Sequence, residues 1–217
     1  MWDFIIEFKI DYFRDYLKLI NDSSKKEVEK VEEANQQLIA DGVKPYYGEH
    51  GEVYDPFEYL ADQLYQIDEL KQLMLSTFVV GVFVFLEDRI NTLCCRVEKI
   101  HETPFSYKDL KGNGVARSRK YLEKILKQKF PEDLNIRETL EVARIIRNSF
   151  VHADGIIEKG DRPRILKYAE KYPDMLKMND NLGSVKITDK YAESLIDLLV
   201  NVHKEIKLHM KADSVFS

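Results

Sequence analysis

Cysteine, proline and glycine are scarce in this chain, and each shortage excludes a class of protein. Its 217 residues include 2 cysteines, 6 prolines and 9 glycines. So few turn-forming residues argue against a fold built from many short strands. The two cysteines, Cys94 and Cys95, are neighbours with no third cysteine to pair with, which predicts a reducing compartment and a cytoplasmic protein.

Long apolar runs are also missing. The most apolar stretch, residues 73–86, contains Ser76, Thr77 and Gly81, and it is shorter than the roughly 18 residues that a membrane-spanning helix needs. We therefore expect a buried core helix there and no membrane segment. The first residues also lack the basic and apolar regions of a signal peptide.

Helical periodicity fills most of the chain and predicts an all-α fold. The expected elements are one long helix or two short ones over 3–40, a loop at 42–51, a helical stretch over 56–100 with a kink or break near 76–81, helices over 115–130, 135–152 and 164–177, a turn at 179–183, and a last helix capped by Thr188. At most a minor hairpin is expected near residues 178–187. Residues 1–50 are expected to form a helical extension, and residues 51–217 the main helical domain.

Local signals mark where two of these helices begin. Asp55 followed by Pro56 is a capping residue before the first helical position. Asn135, with Glu138 three residues later, has the pattern of a capping box at the start of the helix over 135–152. Gly155 is a natural stop for the same helix.

The helix over 135–152 ends in a compact set of polar side chains. One face carries an apolar stripe of Leu140, Ala143, Phe150 and Val151. Arg147 lies in that stripe, where a charge must find a partner, reach water or meet a ligand. Asn148 and His152 are four residues apart, so they lie side by side on the helix surface.

This Arg147-Asn148-x-x-x-His152 pattern resembles the motif of the HEPN family of helical proteins. The loop at 111–114 and the helix that follows it also resemble the segment before the motif helix in many HEPN proteins, and the resemblance covers roughly residues 57 to 210. It implies a HEPN-like antiparallel helical bundle in which two protomers pack through their motif helices. Position 154 is Asp, where HEPN toxins of two-gene toxin–antitoxin modules commonly carry Tyr.

The resemblance also implies an activity, which is metal-independent cleavage of RNA by attack of the 2′-hydroxyl. His152 would be the acid or base, Arg147 would hold the phosphate, and Asn148 would orient one of them. Arg144 and Glu141 lie one or two turns back and are candidates to line the same cleft. No metal or other cofactor is implied, and an antitoxin or defence partner would be unidentified.

A basic segment precedes the motif helix, although the whole chain has a net charge of −5. Residues 108–129 hold eight basic and two acidic side chains, a local excess of six positive charges. If this segment flanks the motif in space, it would attract a phosphate backbone. The candidate RNA-binding residues are Lys111, Arg117, Arg119, Lys120 and Lys124.

Blander interpretations stay open for each of these features. A histidine in the last turn of a helix often serves only to interact with the helix dipole. Arg147 could pair with Glu87 or Asp88, and the basic segment could be an ordinary solvated surface. Three hypotheses therefore remain: an endoribonuclease in defence or as a regulated toxin, a non-catalytic RNA-binding or dimerisation module, and a structural adaptor.

Overall fold

A computed structural model describes the chain at residues 2–42, 46–47, 49–50, 53–112, 114–125, 127, 130, 134–179 and 181–209. Within these ranges the fold is all-α, as predicted. The helices are α1 (Trp2–Asp41), α2 (Pro56–Ile100), α3 (Gly114–Lys124), α4 (Leu134–His152), α5 (Arg162–Lys171) and α6 (Asp189–His209), with a 3₁₀ turn at Tyr107–Asp109. None of the described helices is long and apolar enough to cross a membrane.

Two small antiparallel ribbons accompany the helices. Strand β3 (Leu176–Asn179) pairs with β4 (Ser184–Ile187), which confirms the expected hairpin near residues 178–187. Strands β1 (Tyr46–Tyr47) and β2 (Val53–Tyr54) form a shorter ribbon at a place where only a loop was expected.

One helix, and not two, opens the chain, and its first half belongs to the common core. Ile6, Ile10, Phe13, Leu17 and Ile20 recur at helical spacing and are at most 8% exposed. They join the buried cluster that also contains residues of α2, α4 and α6. Burial of such a side chain contributes roughly 1.5–3 kcal/mol, so this half of α1 is firmly attached. The division at residues 50 and 51 stays a prediction.

Helix α2 runs unbroken from Pro56 to Ile100, so the expected break near residues 76–81 is wrong. The hydroxyls of Ser76 and Thr77 donate to the Leu73 carbonyl at 2.8 and 2.9 Å, which satisfies both groups inside the helix. A Cβ added at Gly81 would lie 4.0 Å from the Phe13 ring, so α1 packs beside this position of α2. Both features let the helix continue at residues that were expected to interrupt it.

Two helices are shorter than their patterns suggested. Helix α5 ends at Lys171, and residues 176–179 form β3 instead of helix. Pro173 has no amide hydrogen and disfavours helical geometry in the residue before it, so the helix cannot pass it. Helix α3 ends at Lys124, well before residue 130, and Lys127 has a positive φ of 55°, which a right-handed helix does not contain.

The predicted helix ends are mostly observed. Asp55 accepts a hydrogen bond from the Phe57 amide at 2.9 Å and caps α2, and Thr188 accepts one from the Tyr191 amide at 3.3 Å near the start of α6. The expected N-cap at Asn135 is wrong, because α4 already begins at Leu134 and Asn135 lies inside the helix. Gly155 has a φ of 78° just beyond α4, as a stop residue should.

Candidate functional site

Helix α4 positions the motif by burying one broad face. Val142, Ala143, Ile145, Ile146 and Ser149 are at most 6% exposed. The buried face is wider than the predicted stripe, and it excludes Val151, which is 45% exposed. The opposite face therefore carries Arg144, Asn148 and His152 toward solvent.

These three side chains line one cavity, as their four-residue spacing predicts. The motif cavity has a volume of about 190 Å³, and its lining residues are Arg144, Ile145, Asn148, Ser149, His152, Ala153, Ile156, Glu158 and Asp161. His152 is exposed, so its imidazole can meet a ligand without any rearrangement of the core. Two of the residues that line the motif cavity, Glu158 and Asp161, are acidic and come from the turn before α5. No local sequence pattern marks this turn as part of the site.

Arg147 reaches the motif cavity only through its neighbour. Its Nη1 donates a hydrogen bond to the Asn148 side-chain oxygen at 3.0 Å, and its Nε is buried without a partner among the described residues. Asn148 thus joins the guanidinium to the cavity that holds His152. The alternative pairing of Arg147 with Glu87 or Asp88 is not observed in the described part of the chain, where Asp88 accepts from Arg89.

Glu141 lies outside the motif cavity and acts as a counter-ion. Its carboxylate accepts from Arg144 at 2.8 and 3.0 Å and from Arg164 of α5 at 2.8 Å. The hydrogen bond from Arg144 lowers the pKa of this carboxyl below its usual value, and the same contact raises the pKa of the Arg144 guanidinium. A carboxylate held anionic in this way is poorly suited to donate a proton near neutral pH.

A second cavity adjoins the first and is rich in arginine. This arginine groove has a volume of about 360 Å³, and it is lined by Phe83, Val115, Ala116, Arg119, Phe130, Arg137, Leu140, Glu141, Arg144 and Arg164. Arg144 lines both cavities, so the groove and the motif cavity share this side chain.

The candidate RNA-binding residues do not act as one group. Arg119 lines the arginine groove, whereas Lys111, Lys120 and Lys124 are exposed and line neither cavity. Arg117 lies over the Tyr107 ring at 5.3 Å from its centroid, with its Nε buried. Tertiary packing therefore selects one residue of the five for the groove, and it adds Arg137 and Arg164 from other helices.

Catalysis by a cysteine nucleophile and catalysis by a bound metal ion have less support in the described residues. Burial raises the pKa of the Cys94 thiol to about 12, so this cysteine is a poor nucleophile at neutral pH. In the part of the chain that the structure covers, no group of three or more His, Cys, Asp or Glu side chains is arranged to hold a metal ion.

Comparisons with known proteins add no relative. No family model matches the chain, and neither the curated proteins nor the solved structures searched contain a significant match. The function is therefore inferred from the residues around α4.

Proposed function

We propose that this protein is a HEPN-type metal-independent endoribonuclease that acts in defence or as a regulated toxin. The observation that carries the proposal is the position of Asn148. This residue accepts a hydrogen bond from Arg147 and lines the same cavity as His152. A side-chain amide bonded to a cation thus lies in the same cavity as an imidazole, and a cation and an imidazole are groups that can promote cleavage of an RNA phosphodiester.

In the proposed reaction, the 2′-oxygen of RNA attacks the adjacent phosphorus and the bond to the 5′-oxygen breaks. The products are a 2′,3′-cyclic phosphate and a free 5′-hydroxyl. An imidazole such as His152 takes the proton from the 2′-hydroxyl or gives one to the leaving oxygen. Arg147 and Arg144 stabilise the extra negative charge that develops on the phosphorane.

A homodimer would complete the site. Among the described residues of one chain, His152 is the only histidine that lines the motif cavity, whereas the reaction moves two protons, one from the nucleophile and one to the leaving group. Val151 and Ile156 are each 45% exposed beside His152, which offers apolar surface for a second copy of α4. Two motif helices packed there would place two histidines at one cleft.

The activity itself is the first test. Purified protein should cleave single-stranded RNA in the presence of EDTA, because arginine and not a metal supplies the positive charge in this proposal. The products should carry a cyclic phosphate, detected by mass spectrometry. The matched control is the same oligonucleotide with 2′-deoxy sugars, which lacks the nucleophile and should stay intact. Cleavage of both strands, or loss of cleavage in EDTA, would contradict the proposed chemistry.

The assembly is the second test. Sedimentation at micromolar concentration should give about twice the mass of the 25.5 kDa chain. Val151→Glu should shift the equilibrium to monomer, because it places a charge in the proposed apolar contact. Val53→Glu is the matched control, since Val53 is 62% exposed in β2 and should tolerate the charge. A wild-type protein that stays monomeric would count against the composite site.

One observation favours the non-catalytic alternative. Arg147 directs its donors toward Asn148 and the protein interior, so in a single protomer it does not line the motif cavity. A non-catalytic RNA-binding or dimerisation module would still use the basic surface around α4. RNA that binds in a salt-dependent manner and remains intact would support that function instead.

A further inference from the structure

Four arginines from three helices converge on the arginine groove. Arg119 comes from α3, Arg137 and Arg144 come from α4, and Arg164 comes from α5. Their side chains are 32–55% exposed, so each arginine is partly covered by protein and partly open to solvent. Such a cluster is rare unless anions are nearby, since like charges repel each other at close range.

Two glutamates pair with these four arginines. Glu123 contacts Arg119 at 2.8 Å and Arg137 at 3.6 Å, while Glu141 contacts Arg144 and Arg164, both at 2.8 Å. Among the described residues that line the groove, four are arginines and one, Glu141, is acidic, so cations outnumber anions on its surface. The carboxylates also hold the arginines in place before a ligand arrives, which lowers the entropy cost of binding.

Hydrogen-bond donors remain available for a ligand. A guanidinium carries five N–H donors in a planar fork that matches a phosphate. Arg119 donates to Glu123 through its Nε, and Arg164 donates to Glu141 through one terminal nitrogen, Nη1. Both arginines can therefore bind a phosphate while they keep their present ion pairs.

The floor of the groove is apolar and distinguishes it from a simple anion site. Phe83, Phe130 and Leu140 line it and are at most 7% exposed, and Val115 lies beside them. Arg119 lies over the Phe130 ring at 5.9 Å from its centroid. A bare phosphate would use the guanidiniums and leave this floor unfilled, whereas a nucleobase has the flat apolar faces that would cover it.

We propose that the arginine groove binds a nucleoside monophosphate unit, with the phosphate on the arginines and the base on the apolar floor. Its volume of about 360 Å³ is at the lower end of the range for small-molecule sites, which suits one nucleotide. The unit is either a free nucleotide or the terminal nucleotide of an RNA strand. Because binding here needs no cleavage, this proposal does not depend on the ribonuclease activity.

Calorimetry with three probes tests the ligand class on the full-length protein. AMP should bind at least roughly tenfold more tightly than inorganic phosphate and than adenosine, since only AMP uses both halves of the groove. Affinity for AMP should fall with added salt. If AMP and inorganic phosphate bind with equal affinity, the proposal that the apolar floor binds a base is wrong. If AMP does not bind at millimolar concentration, the whole proposal is wrong.

Matched variants test whether AMP binds in the arginine groove. Arg164→Ala should weaken AMP binding roughly tenfold or more, because charge-assisted hydrogen bonds are lost. Lys167→Ala removes the same charge three residues along α5 but lies outside both cavities, so it should leave the affinity within about twofold. Arg119→Ala provides a second disruption on a different helix, and near-UV circular dichroism confirms that each variant is folded. Equal effects of Arg164→Ala and Lys167→Ala would show a nonspecific charge effect and overturn the site.

Competition distinguishes the two sources of the nucleotide and separates this proposal from the ribonuclease. With His152→Ala protein, a 5′-phosphorylated oligonucleotide that displaces AMP, when its unphosphorylated twin does not, identifies an RNA end as the ligand. If neither displaces AMP, the ligand is the free nucleotide. RNA cleavage without AMP binding would overturn only the groove assignment, and AMP binding without RNA cleavage would overturn only the ribonuclease.

Discussion

His152→Ala should slow RNA cleavage by about 10²- to 10⁴-fold, because the variant loses the only imidazole that lines the motif cavity in the described chain. Substrate binding should change far less, since the guanidiniums of Arg144 and Arg147 supply the positive charge that attracts the phosphate. The measurement is single-turnover cleavage of a labelled RNA at saturating protein. Arg147→Ala should cause a loss of similar size through the missing positive charge.

Two controls make this result specific. His50→Ala removes an exposed histidine from the turn between β1 and β2 and should leave the cleavage rate unchanged. Arg147→Lys keeps the charge but loses the planar fork that Asn148 engages, so it should restore only part of the rate. Full activity in His152→Ala would exclude His152 as the proton-transfer group and leave the binding-module hypothesis in place.

Gly155→Ala should destabilise the fold by about 2–4 kcal/mol. Gly155 has a φ of 78°, which strains any residue with a Cβ, and an added Cβ would lie 2.8 Å from the Phe150 ring. Both effects act at the end of α4, directly after His152, so cleavage should also fall. Urea unfolding gives the free energy, and the midpoint should shift without a change in slope.

Two other glycines separate the cost of backbone strain from the cost of the contact with Phe150. Gly42 has a φ of 71°, and no atom of the described residues lies within 4 Å of an added Cβ, so Gly42→Ala should show only the backbone strain, about 1–2 kcal/mol. Gly160 has neither a positive φ nor a neighbour within 4 Å of an added Cβ, so Gly160→Ala should stay within about 0.5 kcal/mol of wild type. If Gly155→Ala costs no more than Gly42→Ala, the Phe150 contact is unimportant.

Local sequence determined most of the helical framework, because periodicity and capping act over a few residues. The spacing of Arg144, Asn148 and His152 already placed them on one face of α4, and the structure puts all three in one cavity. The start of α2 at Asp55 and the stop at Gly155 were equally local, since each depends on one backbone conformation. These features require no knowledge of the rest of the chain.

Only tertiary packing decided which charges meet. Glu141 was expected near the motif, but its partner Arg164 lies 23 residues away on another helix, and together with Arg144 they border a groove that no spacing rule predicts. The basic segment offered five candidate RNA-binding residues, yet Arg119 lines the groove while its neighbour Lys120 is exposed to solvent. Side-chain direction on a short helix depends on which face the core buries, and that choice is made by long-range contacts.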